Sequence, residues 1–344
     1  MDPFFSPPLP QPPASLFARG AIIDGLLGLA ERSVPLALFG AGGIGKSAIA
    51  LTLLHHNRIA ARFTGRRHFI RCDDLVNSLE GFVGRLSDAI GAHHLTDMAQ
   101  LRSHLALSPP RILVFDGVDS VLDPLVPGAA EIAVAIEEFG RCQNVCVLTT
   151  SRMDAEIPGF RRIEIPTLTE AGARDTFYSR CHLRRSSGID KLLAELDFHP
   201  LSVDLLASAV DENSWDEPTL LRAWGDGKTS ILKAPGRQSL EDNIESIIRT
   251  PTIQALGPIA REILDAIAVY PCGVKETRME GMLPRMAGVR EATDVLCKFS
   301  LVYRQDGFVK MLSPFRCYFS ESSQKLVYLP EGDTTHNSAG EGSG

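Results

Sequence analysis

A glycine-rich run that ends in lysine and serine is the part of the sequence with the clearest chemistry. It follows the pattern G-x-x-x-x-G-K-[ST], directly after a β-prone segment and directly before a helical one, which argues against a merely flexible turn. Glycines let backbone N–H groups surround a polyphosphate, and the helix N-terminus adds partial positive charge. We predict that Lys46 contacts the β- and γ-phosphates and that the Ser47 hydroxyl binds Mg²⁺. The predicted nucleotide-binding residues are Gly40, Ala41, Gly42, Gly43, Ile44, Gly45, Lys46 and Ser47.

Two aspartates follow a later, strongly apolar segment. Asp116 ends the run 112–115, where an acid is expected to hold the Mg²⁺ shell from a neighbouring strand; an ordinary strand-end turn is the alternative. Asp119 is expected to position a water for hydrolysis. Gly117 offers no second acid, so we predict slow turnover. The candidate catalytic residues are therefore Lys46, Asp116 and Asp119, and the candidate metal ligands are Ser47 and Asp116.

Arg152 and Pro200 are two further candidates outside this loop. Arg152 follows the β-prone segment 145–150, where a cation is able to read the γ-phosphate; a surface arginine is an equally good interpretation. Pro200 opens a helical segment, and proline in a first helical turn is normal capping. The residue type alone therefore gives Pro200 no ligand role.

The elements that must position these residues alternate between short apolar strands and amphipathic helices. Continuous apolar strands separated by helices are typical of a parallel sheet covered on both faces. A helix is expected over 75–90, and after about residue 168 helices replace the strands. Near the C-terminus, Asp306-Gly307 joins two β-prone runs, 301–303 and 308–310, which predicts a hairpin. The strands predicted for the sheet are residues 36–39, 67–72, 112–115, 145–150 and 162–165.

Composition and charge exclude several other classes of protein. The 344 residues carry a formal net charge of −7, so nonspecific nucleic-acid binding, which depends on neutralising phosphates, is not expected. No run reaches the roughly 18 apolar residues of a membrane helix, and the first residues lack a signal-peptide pattern. The seven scattered cysteines include no C-x-x-C, which favours reduced thiols over disulfides or zinc ligands. Together these features predict a cytoplasmic protein without a membrane partner.

The motifs together resemble the NB-ARC class of STAND nucleotide switches, close to the fungal set related to NOD-like receptors. The resemblance covers roughly residues 15–318, and its phosphate loop matches without fault. Residues 16–20 are similar to the family's F-x-G-R segment with Arg and Gly exchanged. Residues 113–119 resemble its Walker B strand, in an order nearer to the NACHT group. Residues 148–152 resemble the sensor-1 element, and Pro200 matches the G-x-P proline, which in the family packs on adenine.

The resemblance implies an α/β P-loop NTPase domain, then an all-α helical domain and a winged-helix domain. It implies ADP or ATP with Mg²⁺ as cofactors, ADP held between the domains in a closed state, and ATP-driven opening into a homo-oligomer, with an effector or sensor protein in trans. Residues 311–316 lie where the family's M-H-D motif is expected, without its His and Asp. The expected divisions are a proline-rich leader 1–18, a nucleotide-binding domain 19–166, a helical domain 167–250, a winged helix 251–320 and a disordered tail 321–344.

Two other functions are compatible with the same residues. The first is a winged-helix DNA-binding regulator with an attached ATPase, although residues 255–318 hold nine Lys and Arg against seven Asp and Glu and are only mildly basic. The second is a hydrolysis-dead scaffold that keeps its nucleotide. A GTPase is not indicated because no N-K-x-D-like base reader is present, and an L-S-G-G-Q-like run typical of ABC transporters is missing too.

Overall fold

A parallel five-stranded sheet lies at the centre of the first half of the chain. The computed structural model describes residues 8–13, 16–72, 78–233 and 238–327. The strands are β1 Leu36–Phe39, β2 Arg67–Arg71, β3 Arg111–Asp116, β4 Val145–Ser151 and β5 Arg161–Glu164. Their order is β2-β3-β4-β1-β5, and every neighbouring pair is parallel. The five predicted strands are confirmed, with each end within one residue of its expected position.

Helices cover both faces of this sheet, as the apolar character of its strands predicts. They are α1 Gly20–Glu31, α2 Lys46–His55, α3 Asn57–Arg62, α4 Leu79–Ala89, α5 Met98–Leu107, α6 Asp119–Leu122 and α7 Ala129–Gly140. Alternate strand residues point to opposite faces. Leu36 and Leu38 therefore pack in the core beneath α1, α2 and α3, whereas Leu113 and Phe115 pack in the core beneath α4, α5 and α7.

The second half of the chain is mainly helical, as expected. Its helices are α8 Glu170–Tyr178, α9 Ser187–Glu195, α10 Pro200–Glu212, α11 Glu217–Gly227, α12 Leu240–Ile248, α13 Pro251–Ala255, α14 Pro258–Ala268, α15 Met279–Met282, α16 Val289–Lys298 and α17 Ser313–Val327, with 3₁₀ turns at Lys228–Ile231 and Glu276–Arg278. Helices α8, α9, α10 and α12 begin at a residue whose side chain accepts from a backbone N–H of the first turn. At α12, for example, the side chains of Ser239 and Asp242 each accept from the other's backbone N–H, which satisfies amides that the helix itself leaves unpaired.

A small antiparallel sheet forms among the last helices. Its strands are β6 Val274–Lys275, β7 Tyr303–Gln305 and β8 Phe308–Lys310, in the order β6-β8-β7. Asp306 and Gly307 both have positive φ, +53° and +76°, which is the geometry of a two-residue hairpin turn. The predicted hairpin is confirmed, but β7 begins at Tyr303, which pairs with Lys310 at the end of β8; Leu301 and Val302 are buried in the core before it.

Three other expectations differ from the structure or lie beyond it. The observed helix near the predicted span 75–90 is α4, and residues 73–77 lie outside the described residues. Residues 1–7 of the proline-rich leader also lie outside them. The tail is expected from residue 321, where α17 continues to Val327; residues 328–344 are not described. Among the described residues no helix has both the length and the apolar character needed to cross a membrane.

Candidate nucleotide site

The loop 40–45 joins β1 to α2 at the carboxyl edge of the sheet. Its last residue, Gly45, has φ +97° and caps α2 without a side-chain hydrogen bond. The first N–H groups of α2 are therefore left to a ligand or solvent, as in anion sites at helix N-termini. Lys46 is the first helical residue and is buried, whereas Ser47 is exposed beside it. This is the arrangement that the sequence pattern predicts for a phosphate-binding loop.

Two glycines of the loop lie against helices from the second half of the chain. Gly43 has φ +75°, and a Cβ there would lie 2.8 Å from the Leu201 side chain and 2.9 Å from Cε1 of His199. A Cβ on Gly42 would lie 1.9 Å from Oδ1 of Asn243. Gly43 therefore requires glycine, and a side chain at Gly42 would displace the Asn243 amide. The glycine requirement of this loop thus comes from helix packing as well as from backbone conformation.

The Lys46 ammonium is turned back into its own loop. Its Nζ donates to the carbonyl oxygens of Gly40 at 2.8 Å and Ala41 at 2.9 Å. Burial lowers the pKa of Lys46 from 10.5 to about 8, with Arg152 acting in the same direction and the carboxylates of Asp119 and Asp116 opposing it. A polyphosphate in the loop would supply the negative charge that this buried ammonium lacks.

Asp116 ends β3 beside the end of β4. The parallel register pairs Asp116 with Thr150, whose Oγ1 donates to Oδ1 of Asp116 at 2.6 Å and accepts from the N–H of Gly117 at 3.0 Å. The carboxylate is therefore oriented by its neighbouring strand and remains partly exposed. An oriented carboxylate at this edge suits the hydration shell of Mg²⁺, a cation that takes one or two protein oxygens and keeps several waters.

Asp119 and Arg152 form an ion pair with each other. Asp119, at the start of α6, accepts from the backbone N–H of Arg152 at 3.0 Å and from its Nε at 2.8 Å. The other end of the guanidinium donates to Oγ of Ser246 in α12 at 2.5 Å, and Ser300 Oγ donates to the Arg152 carbonyl at 2.7 Å. The structure thus brings together the residue expected to orient water and the residue expected to read the γ-phosphate. Both roles stay predictions. For Asp119 to orient a water, or for Arg152 to contact a γ-phosphate, the ion pair between them would have to break.

Pro200 is the first residue of α10, and the more informative side chain is its neighbour His199. His199 is fully buried; its Nε2 lies 2.9 Å from the Gly42 carbonyl and its Nδ1 lies 3.0 Å from Oγ of Ser202. Burial lowers the pKa of His199 to about 4, so the ring is neutral, with Nε2–H donating to Gly42. Pro200 was recognisable from the sequence, whereas His199, at the cap of the same helix, makes the contact with the loop.

Two more residues near the loop escaped the sequence analysis. Arg19 is buried, and its guanidinium donates to the carbonyls of Ile44, at 3.1 Å, and Thr167, at 3.4 Å. Arg19 lies in the segment 16–20 that resembles the F-x-G-R motif, and no local pattern pointed to Asn243. Both reach the loop through long-range packing, which the sequence alone does not specify.

A cleft of about 760 Å³ opens beside the loop. Its walls come from the loop with the end of β1, the segment after β4, the segment after β5, and the chain from α16 to the region around β7. This volume lies within the range of small-molecule sites. The residues that line the cleft include Gly40, Ala41, Ile165, Thr167, Tyr303 and Leu312.

Comparison with known proteins agrees with this architecture. No known protein family and no curated protein sequence matches the chain. A solved Walker-type ATPase from Pyrococcus abyssi is similar to it with a TM-score of 0.65 at 13% sequence identity, and the match covers 91% of this chain and 98% of that chain. At this identity the similarity shows the fold, so the chain has the α/β P-loop NTPase fold that the sequence predicts.

Two further solved structures are similar at a lower level. One is a signal transduction ATPase with numerous domains (STAND) from Pyrococcus horikoshii, with a tetratricopeptide repeat sensor; its TM-score is 0.41 at 13% identity, and the match covers 93% of this chain and 45% of that chain. The other is Drosophila ORC bound to DNA, with a TM-score of 0.48 at 12% identity, covering 90% of this chain and 88% of that chain.

Proposed function

We propose that this protein binds ADP and ATP with Mg²⁺ in the loop 40–47 and works as a STAND-type switch. The observation that carries the proposal is the contact of His199 and Asn243 with Gly42. Because these side chains come from the capping region of α10 and from α12, a change in the loop on nucleotide binding would be transmitted directly to the helical half of the chain. A ligand shifts such an equilibrium only through its different affinity for the two states.

Within this proposal, residues 167–250 form a helical domain and residues 251–320 a winged helix that closes over the nucleotide. The cleft between the loop and the region around β7 supports this division, because both parts of the chain line it. ADP would hold the closed arrangement, and ATP would open the chain for assembly with further copies or with an effector or sensor protein. Pro200 would pack on the adenine.

Hydrolysis in this switch would be slow. Asp119 is paired with Arg152 through both carboxylate oxygens, and Gly117 supplies no second acid to orient water. A scaffold that binds nucleotide without turning it over is favoured by the same pairing. Steady-state ATPase measurements separate the two: slow turnover that falls further in Asp119→Asn supports the switch, and none above background supports the scaffold.

The decisive experiment is to identify the nucleotide that the purified protein carries. We expect denaturation of the wild type to release close to one adenine nucleotide per chain, mainly ADP. Lys46→Ala removes the buried ammonium and is expected to release none. Lys191→Ala, which removes an exposed lysine on α9, is the matched control and should match the wild type. A nucleotide-free wild type whose melting temperature neither ATP nor ADP raises would refute the proposal.

A further inference from the structure

A side-chain amide in α12 faces the phosphate-binding loop with its oxygen unpaired among the described residues. Asn243 is 9% exposed, and its Oδ1 is completely buried without a hydrogen-bond partner among the described residues. Buried polar side-chain atoms in native proteins nearly always have a partner, because burial removes the hydrogen bonds that water would provide. This orphaned atom therefore requires a specific explanation.

The surroundings of Asn243 indicate what kind of partner is missing. A Cβ on Gly42 would lie 1.9 Å from Oδ1 and 3.0 Å from Cγ of Asn243, so the amide lies directly against the loop backbone. Two polar groups of the loop are already paired, the Gly42 carbonyl with His199 and the Lys46 ammonium with two loop carbonyls, whereas the first N–H groups of α2 are left to a ligand. A molecule bound in the loop would supply the partner that the described residues do not.

The helix that carries Asn243 is fixed at several points, so the amide is held against the loop. A capping box at Ser239 defines the start of α12. Arg152 donates to Ser246 one turn after Asn243. Just beyond the helix, the buried Asp123 carboxylate accepts from the backbone N–H of Thr252 at 3.1 Å and also pairs with its hydroxyl. Side chains held in this way by their surroundings are pre-organised for a ligand, which lowers the entropic cost of binding.

We propose that Asn243 is a nucleotide ligand contributed by α12, and that its side-chain amide donates to the phosphate chain held in the loop 40–47. The inference rests on the proposed function and extends it to a residue outside the loop. Amide O and N positions exchange by rotation about the last side-chain bond and are assigned only from hydrogen bonding. The buried position now held by Oδ1 is therefore equally open to the NH₂ group. The amide adds no charge to a site that already holds Lys46, Arg152, Asp116 and Asp119.

A purely structural role for Asn243 predicts a different response to mutation. Aspartate has nearly the same shape as asparagine, whereas alanine leaves a void against Gly42. If Asn243 only fills space, Asn243→Ala would weaken nucleotide binding at least as much as Asn243→Asp, and the cost of burying the new carboxylate would appear in the melting temperature of the nucleotide-free protein. If Asn243 contacts phosphate, Asn243→Asp would weaken nucleotide binding more than Asn243→Ala, because a carboxylate faces the anionic ligand without a proton to donate.

The test measures binding of Mg·ADP and Mg·ATP to nucleotide-free protein by isothermal titration calorimetry. We expect Asn243→Ala to raise Kd about tenfold or more, the usual effect of losing a hydrogen bond to a charged group, and Asn243→Asp to raise it further. A loss for both nucleotides places the contact at the phosphates they share, and a loss for ATP alone places it at the γ-phosphate. Asn213→Asp makes the same charge change at an exposed position and should leave Kd unchanged.

Melting curves of the nucleotide-free variants check folding independently of the ligand. If Asn243→Asp does not fold, Asn243→Ala decides alone. Wild-type Kd in Asn243→Ala, or a smaller loss in Asn243→Asp than in Asn243→Ala, would overturn the inference while leaving the proposed function intact. A wild type that binds neither nucleotide would instead be a failure of the proposed function itself.

Discussion

Nucleotide affinity should fall as the pH rises through 8, because the buried Lys46 ammonium then loses its proton. Its pKa in the nucleotide-free protein is about 8, and a bound polyphosphate raises it, so binding above pH 8 requires proton uptake. The neutral fraction of Lys46 grows from about one tenth at pH 7 to about nine tenths at pH 9, which weakens the affinity for Mg·ADP about tenfold.

Calorimetry provides the direct assay of this linkage. Titrations in two buffers with different ionisation enthalpies should show uptake of about 0.8 proton per nucleotide at pH 8.5 and about 0.1 at pH 7. Lys46→Met has no proton to take up and should bind weakly with a level profile over this range. Wild-type affinity that stays constant from pH 7 to pH 9, or the same decline in Lys46→Met, would refute the reasoning.

The stability of the nucleotide-free protein should change in the opposite direction. The unfolded chain has the ordinary lysine pKa of 10.5, so between pH 8 and about 10.5 the unfolded state binds more protons and stability rises with pH. The full shift corresponds to about 3 kcal/mol. Urea titrations give the free energy of unfolding of the wild type and of Lys46→Met, and the part of their difference that changes with pH is the contribution of Lys46. A difference that stays constant with pH would contradict the lowered pKa of Lys46.

Three further predictions follow from individual contacts. Gly43→Ala places a side chain at positive φ against Leu201. Urea titrations should show the protein destabilised by about 1–3 kcal/mol, and nucleotide binding should be lost. Wild-type stability and wild-type binding would contradict the close contact between Gly43 and Leu201. Arg152→Ala leaves the Asp119 carboxylate, whose side chain is 3% exposed, without its ion partner. The free energy of unfolding should fall by about 3–5 kcal/mol, and adding Asp119→Asn to the same chain should restore most of it. Losses that simply add in the double variant would contradict the pairing. Leu312→His introduces a hydrogen-bond donor into the cleft beside the loop and should slow ADP release in stopped-flow measurements. Unchanged release would argue against closure of the region around Leu312 on the nucleotide.

Local sequence determined the secondary structure and the phosphate loop. Each strand of the large sheet lies within one residue of its predicted span, because short apolar runs bounded by turn residues have few alternatives to a buried strand. The Asp306-Gly307 turn was equally predictable from the sequence, since both residues tolerate positive φ. The loop 40–47 was recognisable because its glycines and its lysine lie next to one another in the chain.

The tertiary structure alone decided which side chains meet at the loop. Strand order places β4 between β1 and β3, which brings Arg152 beside Asp119 as an ion partner. His199 reaches Gly42 across 157 residues of chain, and Arg152 reaches Ser246 across 94. Asn243 belongs to an amphipathic helix whose pattern indicates only that one face is buried. Local patterns specify which face of an element is apolar, but not which surface it packs against, so these contacts were accessible only from the folded chain.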